Sequence, residues 1–275
     1  MKSKIAIVTG GSSGIGRSTA LALLRKGCRV YDFSRHDRGV DGILHMDCDV
    51  SDERQFAAAV ADVAEREGRI DILINNAGFG ISGAAEYTEN EDAKRLLDVN
   101  LFGVVNGCKA VIPYMRRQGS GRIINLSSVA AVVPIPFQAW YSVSKAAVST
   151  YTAALRNELK GFGLSVCSVM PGDIRSGFTA AREKCEAGDD IYGDRIRRNV
   201  AKMEHDEENG MAPEVAGEYI AGLALRPRVK PQYAIGFQYK LFSVLAGVCP
   251  GSLKSALIAQ LYAGGENAYK ASTGL

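Results

Sequence analysis

Residues 4–16 run Lys4-Ile5-Ala6-Ile7-Val8-Thr9-Gly10-Gly11-Ser12-Ser13-Gly14-Ile15-Gly16, a short apolar stretch rich in branched side chains that breaks abruptly into glycine and serine. A run of this length closed by turn residues predicts a buried strand over Lys4 to Val8. Ser18 to Arg25 is rich in helix formers, and Gly27 marks the end of that helix. Strand, glycine-rich turn and helix in succession predict a phosphate cradle. Glycine permits the tight turn and lets the backbone approach a pyrophosphate, while the helix N-terminus supplies N–H donors and positive potential. The spacing is G-x-x-x-G-x-G, not the commoner G-x-G-x-x-G, and the expected contacts are Gly10, Ser12, Ser13, Gly14, Ile15 and Gly16.

Outward from the cradle the same alternation continues. Further strands are predicted at Arg29–Phe33, Ile43–Met46, Asp71–Ile74, Arg122–Leu126, Leu164–Val169 and Gln232–Ile235. Helices are predicted from Ser51, with Arg54 and Gln55 nearby, to about Glu67, over Ala93–Arg117, over Trp140–Lys160, and from Pro213. Strands alternating with helices indicate parallel βαβ units, hence an α/β fold with a doubly wound parallel sheet of Rossmann type. In such a sheet ligands bind beyond the carboxyl ends of the strands. The polar motifs Asn75-Asn76-Ala77-Gly78, Ser127-Ser128 and Pro171-Gly172 all fall at strand ends, so they read as one site.

At the end of the second predicted strand the chain reads Val30-Tyr31-Asp32-Phe33-Ser34-Arg35. An arginine there accommodates a 2′-phosphate, whereas an acidic residue hydrogen-bonds a ribose 2′-hydroxyl. Arg35, assisted by Ser34, is expected to select NADP(H) over NAD(H); were the strand to end earlier, Asp32 would favour NAD instead. Tyr141 and Lys145 are four apart at a helix start and share one face. A free phenol titrates near 10, and a neighbouring ammonium and a cationic nicotinamide ring are expected to lower that value. Ser128 is placed to donate to a substrate oxygen.

Thr9-Gly10-Gly11-Ser12-Ser13-Gly14-Ile15-Gly16, Asn75-Asn76-Ala77-Gly78, Ser128, Tyr141-Ser142-Val143-Ser144-Lys145 and Pro171-Gly172 together resemble the short-chain dehydrogenase/reductase family, from residue 4 to about residue 235. The resemblance implies that hydride moves between cofactor and substrate carbon while Tyr141 exchanges a proton with oxygen, interconverting a ketone and a secondary alcohol. It implies Ser128, Tyr141, Lys145 and Asn100 as the catalytic set, Asn100 anchoring a water-mediated proton relay. It selects Ser128 over Ser127, and alternation along a strand allows only one of the two to face the cleft. Asp49 and Val50 match adenine contacts, and Asn76, Ala77 and Gly78 match the turn beside the adenosine. Pro171, Gly172, Ile174 and Ser176 match the nicotinamide side, with Ser176 where threonine is more usual. A homodimer or homotetramer is implied by the long helices.

The chain has 275 residues, 47% hydrophobic and 23% charged, which suits a single catalytic domain, residues 1–235, with a C-terminal extension, 236–275. A net charge of +3 is too mild to argue for nucleic acid. Six cysteines lie without paired spacing, and no metal site is expected. No signal peptide or membrane span is expected, so a cytoplasmic protein is the simplest reading. Residues 175–211 are charged and weakly periodic, a candidate substrate lid. The extension carries an apolar stripe, Leu253, Leu257, Ile258 and Leu261, and resembles the tails of members acting on steroids, retinoids or other lipids. It is expected to pack on the domain or a subunit interface; shaping a substrate pocket and resting on a membrane are the alternatives. Phe79, Val129, Ala130, Pro134, Pro136, Phe137 and Trp140 are expected to line an apolar pocket for a lipophilic substrate, a hydroxysteroid first. The rivals are a 3-oxoacyl-carrier-protein reductase, docking its partner on Arg195, Arg197 and Arg198, and a non-catalytic NADP-binding sensor.

Overall fold

All five side chains of β1 (Ile5–Thr9) are buried, and a strand covered on both faces belongs inside a parallel sheet flanked by helices. The computed structural model, which describes residues 3–260, has that sheet. After β1 come α1 (Gly14–Arg25), β2 (Arg29–Ser34), β3 (Ile43–Asp47), α2 (Glu53–Glu67), β4 (Ile72–Asn75) and the short β5 (Ile81–Ser82). Then follow α3 (Asn90–Leu97), α4 (Gly103–Gln118), β6 (Gly121–Leu126), α5 (Ala139–Glu158), β7 (Leu164–Pro171) and the short β8 (Glu183–Lys184). α6 (Arg195–Glu208), α7 (Pro213–Leu225), β9 (Gln232–Ile235), α8 (Phe237–Val248) and α9 (Gly251–Ile258) complete the described chain. Leu261 of the predicted stripe lies outside the described residues, as does the rest of the extension to residue 275.

Seven strands pair in parallel in the order β3-β2-β1-β4-β6-β7-β9. Strand order reverses between β1 and β4, and the crevice beyond their carboxyl ends is where such folds bind ligands. Alternation sends Ile5 and Ile7 to one core, with Phe56, Val104, Val111 and Met115, and Ala6 and Val8 to the other, with Leu23, Ile220 and Leu223. Where β4 and β6 meet, Asn75 and Asn125 face each other. Asn75 Nδ2 donates to Asn125 Oδ1 at 2.8 Å, and Asn125 Nδ2 donates to Thr152 Oγ1 on α5 at 2.9 Å.

Three local expectations are corrected. α2 is capped by Asp52, whose side chain accepts from the N–H groups of Arg54 and Gln55; Ser51 sits one residue too early and its hydroxyl bonds Asp49 instead. The helix expected over 93–117 is three pieces: α3, a π-turn at Asp98–Phe102, and α4 with Pro113 inside it. This run is long and apolar enough to cross a membrane by length and composition, yet α4 carries Val104, Cys108, Val111 and Met115 into the core. Residues 175–211 are not irregular throughout: β8 pairs with β5, and α6 buries Ile196, Val200 and Met203 against Ala84. Those three fall at helical spacing, but the charged residues between them mask the stripe.

Candidate active site

At the carboxyl end of β1 the chain turns through Gly10 (φ 64°) and Gly14 (φ 51°), a backbone region that favours glycine. Thr9 Oγ1 accepts from the N–H groups of Asn76 and Ala77, and Asn76 Nδ2 donates to Thr9 O, all at 2.9 Å. The turn after β4 is thereby stitched to the cradle. No side chain caps the N-terminus of α1, so its first-turn N–H groups point at the cavity side without an acidic competitor. Gly16 packs behind this surface, where a Cβ would lie 2.1 Å from Gly10 O.

Asp32 does not line the cavity. It is buried within β2, its Oδ1 accepting from Gly11 N at 2.6 Å and its Oδ2 from Ser34 Oγ at 2.7 Å, with a His45 ring nitrogen at 3.4 Å. Burial pushes its carboxyl pKa up, against the pull of those donors. Ser34 lines the cavity, its hydroxyl also within reach of His36 O at 3.2 Å. Arg35 and Arg38 supply the positive charge at this end.

At the other end Ser128 leaves β6 and caps a short 3₁₀ turn, its Oγ accepting from Ala130 N at 3.1 Å. Ser127 points the other way, donating to Lys145 O at 2.8 Å and sharing a hydrogen with Ser149 Oγ. Lys145 Nζ is buried, donates to Leu126 O at 3.0 Å, and lies 5.7 Å from the centre of the Tyr141 ring. The expected depression of the phenol by this ammonium is not found. Burial raises Tyr141 to about 12 despite a hydrogen bond with Ser128, helped by the nearby charges of Glu207 and Asp173. Burial also lowers Lys145, to about 8. Desolvation outweighs attraction because both groups leave water together.

Asn100 sits in the π-turn, a distortion found often at functional sites. It is fully buried: Oδ1 accepts from Phe79 N at 3.0 Å, and Nδ2 donates to Phe79 O at 2.9 Å and to Ser144 Oγ at 3.2 Å. Ser144 Oγ in turn donates to Tyr141 O at 2.7 Å. Asn100 thus ties the turn after β4 to the helix bearing Tyr141 and Lys145. Asn100→Ala should strand a buried N–H and a buried carbonyl at about 1–3 kcal/mol each. A thermal melt should show the lost stability, and initial rates a lower kcat; an unchanged melt would refute the tie.

One cavity of about 960 Å³ is lined by the cradle, by Ser34, Arg35, Asp49 and Val50, by Asn76, Ala77 and Gly78, by Ser128, Tyr141 and Lys145, and by Pro171, Gly172, Ile174 and Ser176. Of the expected site residues only Gly16 and Asn100 stand behind its wall. Phe79, Val129 and Ala130 line it, whereas Pro134, Pro136, Phe137 and Trp140 do not; Phe137 packs on Tyr192. The apolar wall comes from Val133, Ile135 and Phe178, and from Phe242, Leu245, Leu257 and Ile258 on α8 and α9. Sequence reasoning missed Asp173 and Tyr239, which join across the site from 66 residues apart. The arginines considered for carrier docking are engaged locally. Arg197 pairs with Asp189 and Asp194, Arg198 bonds Gly193 O, and Arg195 lies over Phe137.

Comparison with known proteins agrees with this geometry. The family model described as short chain dehydrogenase matches residues 4–187. A 3-ketodihydrosphingosine reductase of Bacteroides thetaiotaomicron is 40% identical over 229 residues, covering 82% of this chain and 85% of that one. The crystal structure of a short-chain dehydrogenase from Streptomyces avermitilis superposes with a TM-score of 0.81 at 28% identity, over 90% of this chain and 94% of that one. A 3-ketoacyl-(acyl-carrier-protein) reductase of Brucella melitensis, complexed with NADH, superposes with a TM-score of 0.71 at 26% identity, over 84% and 96%. Motif order, sheet topology and relatives agree that this chain belongs to the short-chain dehydrogenase family and is an oxidoreductase acting on a CH–OH/C=O pair.

Proposed function

We propose that the protein is an NADP(H)-dependent reductase of a long-chain, lipophilic ketone. The observation that carries this reading is the cavity wall. Phe242, Leu245, Leu257 and Ile258 of α8 and α9, elements beyond the part of the chain that the family model matches, line the cavity together with Cys249 and Lys254. A pocket of this kind takes an apolar body and leaves a few polar groups to fix orientation. The similarity to a protein named 3-ketodihydrosphingosine reductase supports an alkyl chain ahead of the rigid rings of a hydroxysteroid.

The cradle fits a dinucleotide: positive-φ glycines, an uncapped helix N-terminus and Arg35 line one continuous cavity with Tyr141. When bound, the nicotinamide supplies the hydride in reduction and accepts it in oxidation. The chain's own groups do the rest. Ser128 holds the carbonyl oxygen, and Tyr141, protonated at neutral pH, gives its proton to that oxygen as negative charge develops there. Lys145 holds positive charge behind the phenol. Pro171, Gly172, Ile174 and Ser176 would flank the nicotinamide, and Asp49 and Val50 the adenine.

NADPH and NADH are to be compared with a long-chain 3-ketone, a ketosteroid and an acetoacetyl thioester. NADPH-driven reduction of the first alone supports the reading; activity confined to the thioester moves the protein to the carrier-linked rival. Arg35→Ala is expected to raise KM for NADPH about 10–100-fold, the worth of a charge-assisted phosphate contact. KM for NADH should hardly move. An equal change for both nucleotides would remove Arg35 as selector.

A further inference from the structure

Arg182, immediately before β8, has a side chain that is 0% exposed. Its guanidinium stays charged and carries five N–H donors. Nη2 donates to Glu207 Oε1 on α6, while Nε and Nη1 are buried with no hydrogen-bond partner among the described residues. Glu207 Oε2 accepts from Thr179 Oγ1 at 2.6 Å, so that carboxylate is held at both oxygens. A buried ion pair is weak evidence for stability, since loss of water can outweigh the attraction, and unmet donors add to the cost. Its surroundings show what it acts on. The guanidinium carbon lies 5.7 Å from the centre of the Phe178 ring, and that ring lies 5.7 Å from the centre of the Tyr141 ring. Phe178 and Arg182 both press on Gly80, where a Cβ would stand 3.2 Å from Phe178 Cζ and 3.6 Å from Arg182 Nε. Arg182 is thereby clamped between α6 and the turn that Asn100 fixes at Phe79. Phe178 and Glu207 line the cavity, and Arg182 stands behind them.

We propose that Arg182 is a positioning residue for the proton transfer: from behind the cavity wall it holds Phe178 against the Tyr141 ring, and its charge, offset by Glu207, favours release of the phenol's proton. The proposal rests on Tyr141 as the proton donor and is independent of the substrate's chain length. Charged groups act on that phenol from each element packed around it: Lys145 on α5, Asp173 beyond β7, Glu207 on α6, and Arg182. Glu207 and Asp173 push the phenol up, and Arg182 and the hydrogen bond with Ser128 pull it down. Arg182 and Lys202 also act on Asp173. Removing one half of the ion pair therefore moves the phenol opposite to removing the other.

The test follows oxidation by NADP, from neutral to alkaline pH, of the secondary alcohol derived from whichever of the long-chain 3-ketone, ketosteroid and acetoacetyl thioester the wild-type enzyme reduces. Glu207→Gln removes the negative charge but keeps the hydrogen bonds, its amide oxygen accepting from Arg182 and its amide nitrogen donating to Thr179. It should raise kcat for oxidation about 3–10-fold at each pH below the plateau, the scale of one nearby charge. Arg182→Met keeps an unbranched stem against Phe178 and should lower kcat by a similar factor. Arg182→Lys restores the charge and should recover most of that loss, and KM for NADP should hardly move in any variant. A lowered kcat in both Glu207→Gln and Arg182→Met marks a purely structural pair and overturns the proposal, as does Arg182→Lys performing no better than Arg182→Met. Where Arg182→Met does not fold, Glu207→Gln decides alone: an unchanged kcat, or loss of the fold, overturns the proposal. A wild-type enzyme that reduces none of the three ketones removes the proton transfer itself and the proposal with it, an outcome distinct from all the others.

Discussion

Tyr141→Phe is expected to lower turnover by about 10²–10⁴-fold, the usual worth of a positioned proton donor, while leaving NADPH binding nearly intact. The half-buried ring packs against Phe178, with centroids 5.7 Å apart, so loss of one oxygen leaves the packing in place. The direction of the pKa shifts adds a signature. With the phenol pushed up to about 12, Tyr141 carries its proton across the physiological range and is ready for reduction. Lys145, pushed down to about 8, loses its proton as pH rises through that value. Reduction should therefore hold below about pH 8 and decline above it, whereas alcohol oxidation, which needs the phenolate, should rise toward alkaline pH. Single-turnover rates across pH, alongside fluorescence titration of NADPH, check both statements. A variant that turned over at the wild-type rate would remove Tyr141 from the chemistry.

Gly16→Ala is expected to destroy the cradle. In an ordinary helix alanine is favoured over glycine by about 1 kcal/mol. Here the added Cβ would stand 2.1 Å from Gly10 O and 2.4 Å from Asn76 Nδ2. The first is backbone and cannot rotate away, so the phosphate turn itself must open. Overpacking of this kind costs about 1–3 kcal/mol or more, and a 1 Å displacement in a binding constellation costs about 10²-fold. NADPH affinity and melting temperature should both fall. Gly222→Ala in α7 is the control, because a Cβ there meets nothing within 4 Å; it should be neutral or stabilising by about 0.5–1 kcal/mol. Equal behaviour of the two variants would refute the steric argument.

The sequence was most readable where a residue type has one physical reason to be present. Gly10, Gly14 and Gly16 mark a turn that tolerates no side chain, and the apolar strands mark a sheet buried on both faces, so the cradle and the sheet were both legible. What local pattern did not contain was missed. The π-turn that buries Asn100 interrupts the hydrophobic period by too little to break an apparent single helix over 93–117. α6 is hidden by its own charges. Asp173 and Tyr239 meet only because β7 ends and α8 begins at the same mouth. Pro134, Pro136, Phe137 and Trp140 were apolar and near the site in sequence, but adjacency in sequence does not fix which way a loop residue faces. Proximity of Tyr141 to a cation is visible in sequence, whereas the desolvation that pushes its phenol up is not.

The Asn75–Asn125–Thr152 chain has a bearing on how the fold reaches its alignment. Ile72-Leu73-Ile74 on β4 and Ile123-Ile124 on β6 are apolar on both faces, so the hydrophobic effect alone would accept the strands displaced along each other. In most sheets a slip of one residue is penalised because it exposes an apolar face, and here both faces are apolar. The two amides mark the correct register: a slip would strand each of them at about 1–3 kcal/mol. It would also shift the Asn76-Ala77-Gly78 turn after β4 by about 3.3 Å relative to Ser128, one residue's rise along a strand. The polar link through Thr152 to α5 therefore proofreads, during folding, the same spacing on which the chemistry depends.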